Sequence, residues 1–370
     1  MNKINILIPD GDDDRTIKVV QSLGISGLTR NFVLTNRGNE AHYSRFSTPF
    51  SISRGADQDE INALLKRVLG KYAIDIILPV AEKGIDHIHQ NDWLKQWKTA
   101  LVPDAEAMAR VGNKWELHNT LQSLGLDTPQ SVLISTAADV GKIDQIRNYP
   151  VLIKPTQGAG GFGILLAEND QDLADGIIAS FKKNSQKTYL VQELIAGSDI
   201  DISILCRNGA LLAYTIQQPI AKSANVFTFS KMIQFVEDTQ VLEYCRRLVA
   251  HLNWTGVAHL DFIRERSGER IFLVDFNPRF WGTLLGSTCA GVNFPYLSSL
   301  SALGGTFPLP KYELIQYYEL GRKQMPGFVF RRKRNKASSI RNSTIYFFLR
   351  DPLPALSKGL NSMRTKILSN

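Results

Sequence analysis

The sequence predicts an α/β chain. It should hold an N-terminal parallel, doubly wound α/β domain, then a region built on antiparallel hairpins, and last a basic C-terminal extension. Three observations carry this. Up to about residue 100, short apolar runs alternate with amphipathic stretches of helical period, the pattern of a parallel sheet with crossover helices. From Val151 onward the apolar runs come in pairs joined by Gly-containing turns, as antiparallel hairpins do. Charge is divided too: residues 331–370 hold ten Lys/Arg and one acid, so the +8 net charge belongs to the tail and the body is close to neutral.

Taken in order, Asn5 to Asp10 reads as a first strand, followed by the acidic turn Gly11 to Asp14 and a helix from Thr16 to Leu23. Phe32 to Thr35 is a second strand and Glu60 to Leu69 an amphipathic helix. Asp75 to Val80 is another buried strand, and Gly84 to Trp97 another helix. The cluster Asp12, Asp13 and Asp14 follows a strand end, where open α/β sheets place ligands, although a solvated turn explains it as well. His87 and His89 are two apart in a helix and point to different sides, so they do not make a metal pair. Ala105 to Gly125 reads as two helical segments around Gly112, with Asn113-Lys114 opening the second. On local evidence alone Lys114 is a surface lysine.

The stretch from Tyr149 to Ala167 is the most instructive. Gly158, Gly160 and Gly163 satisfy G-x-G-x-x-G, but the dinucleotide fingerprint needs a helix opening from the loop. Here Ile164 to Ala167 is a second strand and the helix begins only near Asp170, so the glycines cap a β-hairpin. A hairpin with bare backbone amides suits a flap over triphosphate oxygens, and Lys154 ends the leading strand as a point charge for phosphate. Hydride transfer is disfavoured by the same context, and no P-loop motif is present.

Further on, Tyr189 to Ile195 is a strand, and Ile200, Ile202 and Ile204 alternate with Asp201, Ser203 and Leu205 as in a half-buried strand. Ala210 to Gln217 is its expected partner. Ala221 to Gln234 lacks a period and reads as a loop, and Val241 to Leu252 is helical. The run from Gly256 to Leu284 then holds two apolar strands joined by a charged, Gly-containing turn. Each strand carries one carboxylate, Asp261 and Asp275, and the second ends in Asn277-Pro278-Arg279. Two carboxylates and an amide make a hard-oxygen site suited to Mg²⁺ with phosphate oxygens completing its shell. The nearby arginine suits charge developing on a transferred group. A buried hairpin with two strand-end aspartates fits the same residues.

Composition excludes several classes. No apolar run approaches the roughly 18 residues that span a bilayer. The N-terminus reads as a strand running into acidic residues, not a secretory signal. Cys206, Cys245 and Cys289 are odd in number and far apart, so neither a disulfide framework nor a zinc site is suggested, and a cytoplasmic home is expected. The basic tail, Arg331 to Arg334 followed by Ile345 to Leu349, suits an anionic membrane surface or acidic partner, or equally an extension whose aromatics pack on the body. A neutral body argues against nucleic acid.

The order of these motifs resembles the ATP-grasp superfamily, in its carboxylate–amine ligase and carbamoyl-phosphate-synthase-like branch. The matching residues are Lys114, the strand V-L-I-K-P with G-A-G-G-F-G, the strand Q-E-L-I-A-G-S-D, and Asp261 with D-F-N-P-R, over about residues 1–305. The resemblance implies a pre-ATP-grasp domain over 1–103, a two-lobed ATP-grasp domain over 104–305 with a lid near 120–190, and the extension 306–370. It implies ATP and Mg²⁺ (or Mn²⁺) as cofactors, with Lys114, Lys154 and the loop glycines Gly158, Gly160, Gly161 and Gly163 on the phosphates. Gln192, Glu193, Leu194 and Ile195 would be the adenine hinge, and Asp199 (or Asp201) would bind the ribose. Asp261, Asp275 and Asn277 would hold metal, and Asn277, Arg279 and Lys222 (or Lys231) would serve the chemistry. Two departures stand out: both metal carboxylates are Asp where Glu is common at the second, and Phe162 replaces a frequent lysine. Small-molecule carboxylate and amine substrates are implied, with bicarbonate chemistry or a non-catalytic ATP-binding subunit as alternatives, and a homodimer is compatible.

Overall fold

The computed structural model describes residues 3–136, 139, 146, 148–158, 163–184, 186–220, 232–321, 324–325 and 339–357. The first sheet contains β1 (Ile4–Ile8), β2 (Thr29–Thr35), β3 (Ser47–Ser51) and β4 (Ile76–Ile77), all parallel, in the order β3-β2-β1-β4. Helix α1 (Thr16–Ser26) packs on one face, and α2 (Gln58–Lys71) and α3 (Glu82–Gln90) on the other. Leu7, Phe32 and Leu34 point to α2, while Ile6, Ile8 and Val33 point to α1, as strand alternation requires. Only Ile76 and Ile77 of the expected strand Asp75 to Val80 are paired as strand, and the third helix stops at Gln90. The strand β3 has a mixed burial pattern and was missed by periodicity. At the switch point between β1 and β4, the Asp10 carboxylate accepts from the backbone amides of Val80 and Ala81. Two acids of the turn have partners outside it: Asp12 accepts from the Asn36 amide and Asp13 pairs with Arg15.

Next, α4 (Ala105–Gly112) and α5 (Lys114–Ser123) lead into a four-stranded antiparallel sheet. Its strands are β5 (Ser131–Ile134), β6 (Val151–Pro155), β7 (Leu165–Ala167) and β8 (Tyr189–Glu193), in the order β5-β8-β6-β7. Helix α6 (Asp170–Lys183) covers one face through Leu173 and Ile177. The pairing of Val151 with Ala167 and Ile153 with Leu165 makes β6 and β7 a hairpin, with Gly158 and Gly163 between the two strands. Gly158 and Gly163 both have positive φ, 132° and 81°, which side chains rarely adopt. Gly160 and Gly161 lie outside the described residues.

The largest sheet has six antiparallel strands. These are β9 (Gly197–Arg207), β10 (Ala210–Pro219), β11 (Met232–Val236), β12 (Gly256–Glu265), β13 (Ile271–Asn277) and, beyond α8 (Leu284–Cys289) and α9 (Phe294–Ala302), β14 (Gln316–Tyr318). Their order is β13-β12-β9-β10-β11-β14. Met232 to Gln234, expected as loop, are therefore strand, whereas Lys222 and Lys231 lie outside the described residues. One face of the sheet buries Ile200, Ile202, Ile204, Ala258, Leu260 and Phe262 under α4, α5 and α7 (Thr239–His251). The other face carries Leu205, Ala213 and Val257 into the core shared with the N-terminal domain. This second cover is why Ser203 and Leu205 are as buried as the isoleucines, correcting the half-buried reading for that end of β9. At Gly197 an added Cβ would sit 2.1 Å from the Arg264 carbonyl, so β9 can close on β12 only without a side chain.

The last described stretch is part of the body. Ile345 and Phe347 of α10 (Thr344–Arg350) are buried. The buried Asp351 carboxylate accepts from Ser44 Oγ at 2.7 Å and the Arg45 amide at 2.9 Å, tying this stretch to the N-terminal domain. Of the two readings of the tail, packing of its aromatics on the body is the one these residues display. Arg331 to Arg334 lie outside the described residues. Among the described residues no helix is long and apolar enough to cross a membrane.

Candidate functional site

The site lies on the sheet face toward the N-terminal domain, just beyond the apolar contact. Registers place the side chains in rows across four strands. Thr215, Ser203, His259 and Asn277 form one row, and Gln217, Asp201, Asp261 and Asp275 the next. Directly opposed like charges destabilise a sheet, so three carboxylates in one row favour a proton or a cation among them. Burial, then Asp201 and Asp275, push the Asp261 carboxyl well above the usual range, and burial pushes Asp201 up to about 7.

Asp275 reaches this row through a β-bulge. Ile271 and Leu273 point into the helix-covered core, and strict alternation would send Asp275 there as well. Phe262 opposes Leu273, but the next residue on β12, Asp261, opposes Asp275, leaving Val274 unpaired. The extra residue flips the parity, so Phe276 enters the core and Asp275 and Asn277 face the site. Asn277 Nδ2 then donates to Asp261 Oδ2 at 3.1 Å. Arg279 Nη2 donates to Asn277 Oδ1 at 2.8 Å.

Lysines approach from two other elements. Asn113 caps α5, its side chain accepting from the Trp115 amide, a bond worth about 1 kcal/mol. Lys114 thus falls at the first helical position, where a cation opposes the helix dipole. Its Nζ offsets this by lying 3.3 Å from Asp275 Oδ1 and donating to the Gly158 carbonyl at 2.9 Å. It ties the root of the glycine hairpin to the carboxylate row and is no plain surface residue. Lys154 is 7% exposed and donates to Gln192 Oε1 at 2.6 Å. Gln192 Nε2 in turn donates to Ser131 Oγ at 2.9 Å.

Residues 111–283 match the family model described as an ATP-grasp domain. The chain carries an ATP-grasp domain over these residues. Its fold is similar to that of the biotin carboxylase domain of Hydrogenobacter thermophilus 2-oxoglutarate carboxylase, solved with MgADP and bicarbonate: TM-score 0.68 and 13% identity, covering 85% of this chain and 73% of that one. It is also similar to N5-carboxyaminoimidazole synthetase from Staphylococcus aureus complexed with ADP (TM-score 0.66, 15% identity, 85% and 81% covered). L-amino acid ligase from Bacillus licheniformis follows at TM-score 0.60 and 16% identity, with 82% and 74% covered.

Within this ATP-grasp domain, β8 belongs to the four-stranded sheet and β9 to the six-stranded one, so Leu194 to Ala196 is the joint between lobes. Gln192 and Glu193 close β8, with Glu193 Oε1 accepting from the Gln130 amide at 2.8 Å. Asp199 is exposed, two residues before Asp201 on the same face. Asp201 stands in the carboxylate row itself, and its Oδ2 accepts from Gln217 Nε2 at 3.3 Å. His259 was missed by the sequence reading. Its Nε2 lies 3.2 Å from Asp261 Oδ1 and 3.9 Å from Asp201 Oδ2, and burial, then Arg279, push its pKa down to about 3. The signal available was its position two before Asp261, hence on the same face. Glu82 was missed too: from the start of α3 it accepts from Arg279 Nε at 3.0 Å, a link across the domain seam invisible in local sequence.

Burial lowers the Lys154 pKa to about 8, partly offset by Asp275. Below pH 8 the ammonium is charged; above it the free protein loses that charge, which bound phosphate would restore. Affinity for ATP should therefore hold from pH 7 to 8 and then fall by up to about tenfold per pH unit. Calorimetric titration between pH 7 and 9.5 checks this. Lys154→Met should bind more weakly at pH 7 and lose the pH dependence, whereas a flat wild-type profile to pH 9.5 would remove Lys154 from the phosphate site.

Proposed function

We propose that this chain is an ATP-dependent ligase that joins a carboxylate to an amine through an acyl phosphate, releasing ADP and phosphate. The observation that carries the reading is the bulge-directed alignment of Asp275 with Asp261 and Asn277, with Lys114 and Arg279 closing on the same row. A substrate carboxylate oxygen would attack the γ-phosphorus while the bond to the β-phosphate oxygen breaks. The amine then attacks the acyl carbon, phosphate leaves and the amine proton is released. Phosphoryl transfer needs positioning and charge neutralisation more than covalent help.

Asp261, Asp275 and Asn277 offer a hard-oxygen donor set that fits Mg²⁺ or Mn²⁺, and the crowded carboxylates favour a bound cation. When bound, such an ion neutralises phosphate charge. Lys114 and Lys154 would hold phosphate oxygens, aided by Gly158, Gly160, Gly161 and Gly163. Gln192 to Ile195 would seat adenine, and Asp199 the ribose. Arg279 would bind the transferring group and the acyl phosphate, with Lys222 or Lys231 a further contact. Domain limits near residues 103 and 305 are part of this reading.

The test is ADP and phosphate release from Mg-ATP with pooled carboxylates and amines. ADP formation only when both pools are present is the expected result. Release with bicarbonate alone would move the reading to carboxylation or carbamoyl phosphate formation, and AMP formation would end the acyl-phosphate mechanism.

A further inference from the structure

The row of carboxylates extends past the residues just assigned, and its far end has a different donor chemistry. Asp201, His259 and Asp261 each offer one ligand atom, and these three atoms lie within 4.8 Å of one another. The His259 side chain is 12% exposed and its ring lies nearly parallel to Trp281, with centroids 5.6 Å apart and planes 11° off. Its Nδ1 is 2.9 Å from Ser203 Oγ, on the neighbouring strand. A histidine that ligates a metal through one nitrogen typically gives its other ring N–H to an oxygen acceptor, which fixes tautomer and orientation. Ser203 is fully buried and occupies that acceptor position, so the imidazole is held on both its face and its back.

We propose that Asp201, His259 and Asp261 form a second cation position, selective for a first-row transition ion over Mg²⁺, with Asp261 shared between it and the Asp275–Asn277 position. The nitrogen donor is the ground for selectivity: imidazole suits ions of the Co²⁺, Ni²⁺ and Zn²⁺ kind, whereas Mg²⁺ prefers an all-oxygen shell. This rests on the reading of Asp261 as a metal ligand but not on the ligase reaction. The same atoms allow one other arrangement, in which Ser203 donates to Nδ1 and an Nε2–H of His259 donates to Asp261; that would make His259 a positioning group with no metal of its own.

The experiment is titration of the full chain with Co²⁺ alone, without nucleotide, followed by visible ligand-field absorption. A saturable band is expected that survives millimolar Mg²⁺. His259→Gln and Asp201→Asn should each weaken Co²⁺ binding at least about tenfold, and Ser203→Ala about tenfold through loss of ring orientation. Far-UV circular dichroism of each variant shows whether it has folded. Nitrogen-15 spectra of histidine-labelled wild type give a reading independent of variants: Zn²⁺ should shift the His259 Nε2 resonance and leave a protonated Nδ1. A Co²⁺ band unchanged in His259→Gln, or an Nε2–H that persists with Zn²⁺ present, would overturn the proposal. Failure of the ligase reading has another signature, absence of ADP release from every substrate pool, and leaves the Co²⁺ result untouched.

Discussion

Asp275→Asn should lower kcat at least about 10³-fold, close to 4 kcal/mol of transition-state stabilisation. The substitution keeps shape and hydrogen-bonding capacity but removes the charge, so it isolates electrostatics from packing. Two consequences follow. The proposed cation position loses one of its two directly opposed carboxylates, and Lys114 Nζ loses the anion 3.3 Å away that holds it beside the glycine hairpin. The second effect should also weaken ATP binding, though by less than the loss in kcat, because Lys154 stays in place. Single-turnover ADP formation and equilibrium binding of ATP, measured on the same preparation, separate the two. A variant that keeps kcat within tenfold of wild type would remove Asp275 from the chemistry and reduce the row to a structural feature.

Arg279→Lys should cost about 10²- to 10³-fold in kcat, the usual scale for losing a preorganised charge donor. Lysine keeps the charge but loses the planar fork, and the fork is used here. Nη2 holds Asn277, Nε meets Glu82 at the start of α3, and Nη1 donates to the Phe280 carbonyl at 3.1 Å. Glu82→Gln should act in the same direction more weakly, since it loosens the arginine without removing it. Rate assays of both variants against Asp275→Asn rank the three. If Glu82→Gln exceeded Arg279→Lys, the carboxylate rather than the guanidinium would be the group that meets substrate.

Much of the fold is readable from residue order because local rules govern it. Gly158 and Gly163 lie between two β-leaning runs and no helix opens after them, which makes a hairpin the only local solution. Asp261 and Asn277 stand out as polar residues on apolar strands. Elements on sheet edges or with mixed burial are less legible: β3, β5 and β14 lack a clean alternation, since neighbours rather than composition pair them.

The sequence by itself determined a parallel α/β domain, a glycine hairpin unsuited to a dinucleotide, and a carboxylate-bearing strand pair ending in Asn277 and Arg279. Only the tertiary structure decided which face those carboxylates use. Counting by twos from Leu273 puts Asp275 in the core, and a bulge at Val274 reverses that, because a single unpaired residue changes the parity of every later one. Likewise Asp201 and His259 lie 58 positions apart in sequence yet belong to adjacent strands, and Glu82 meets Arg279 across 197 positions. Register and domain packing set such contacts, and neither is written in any one segment.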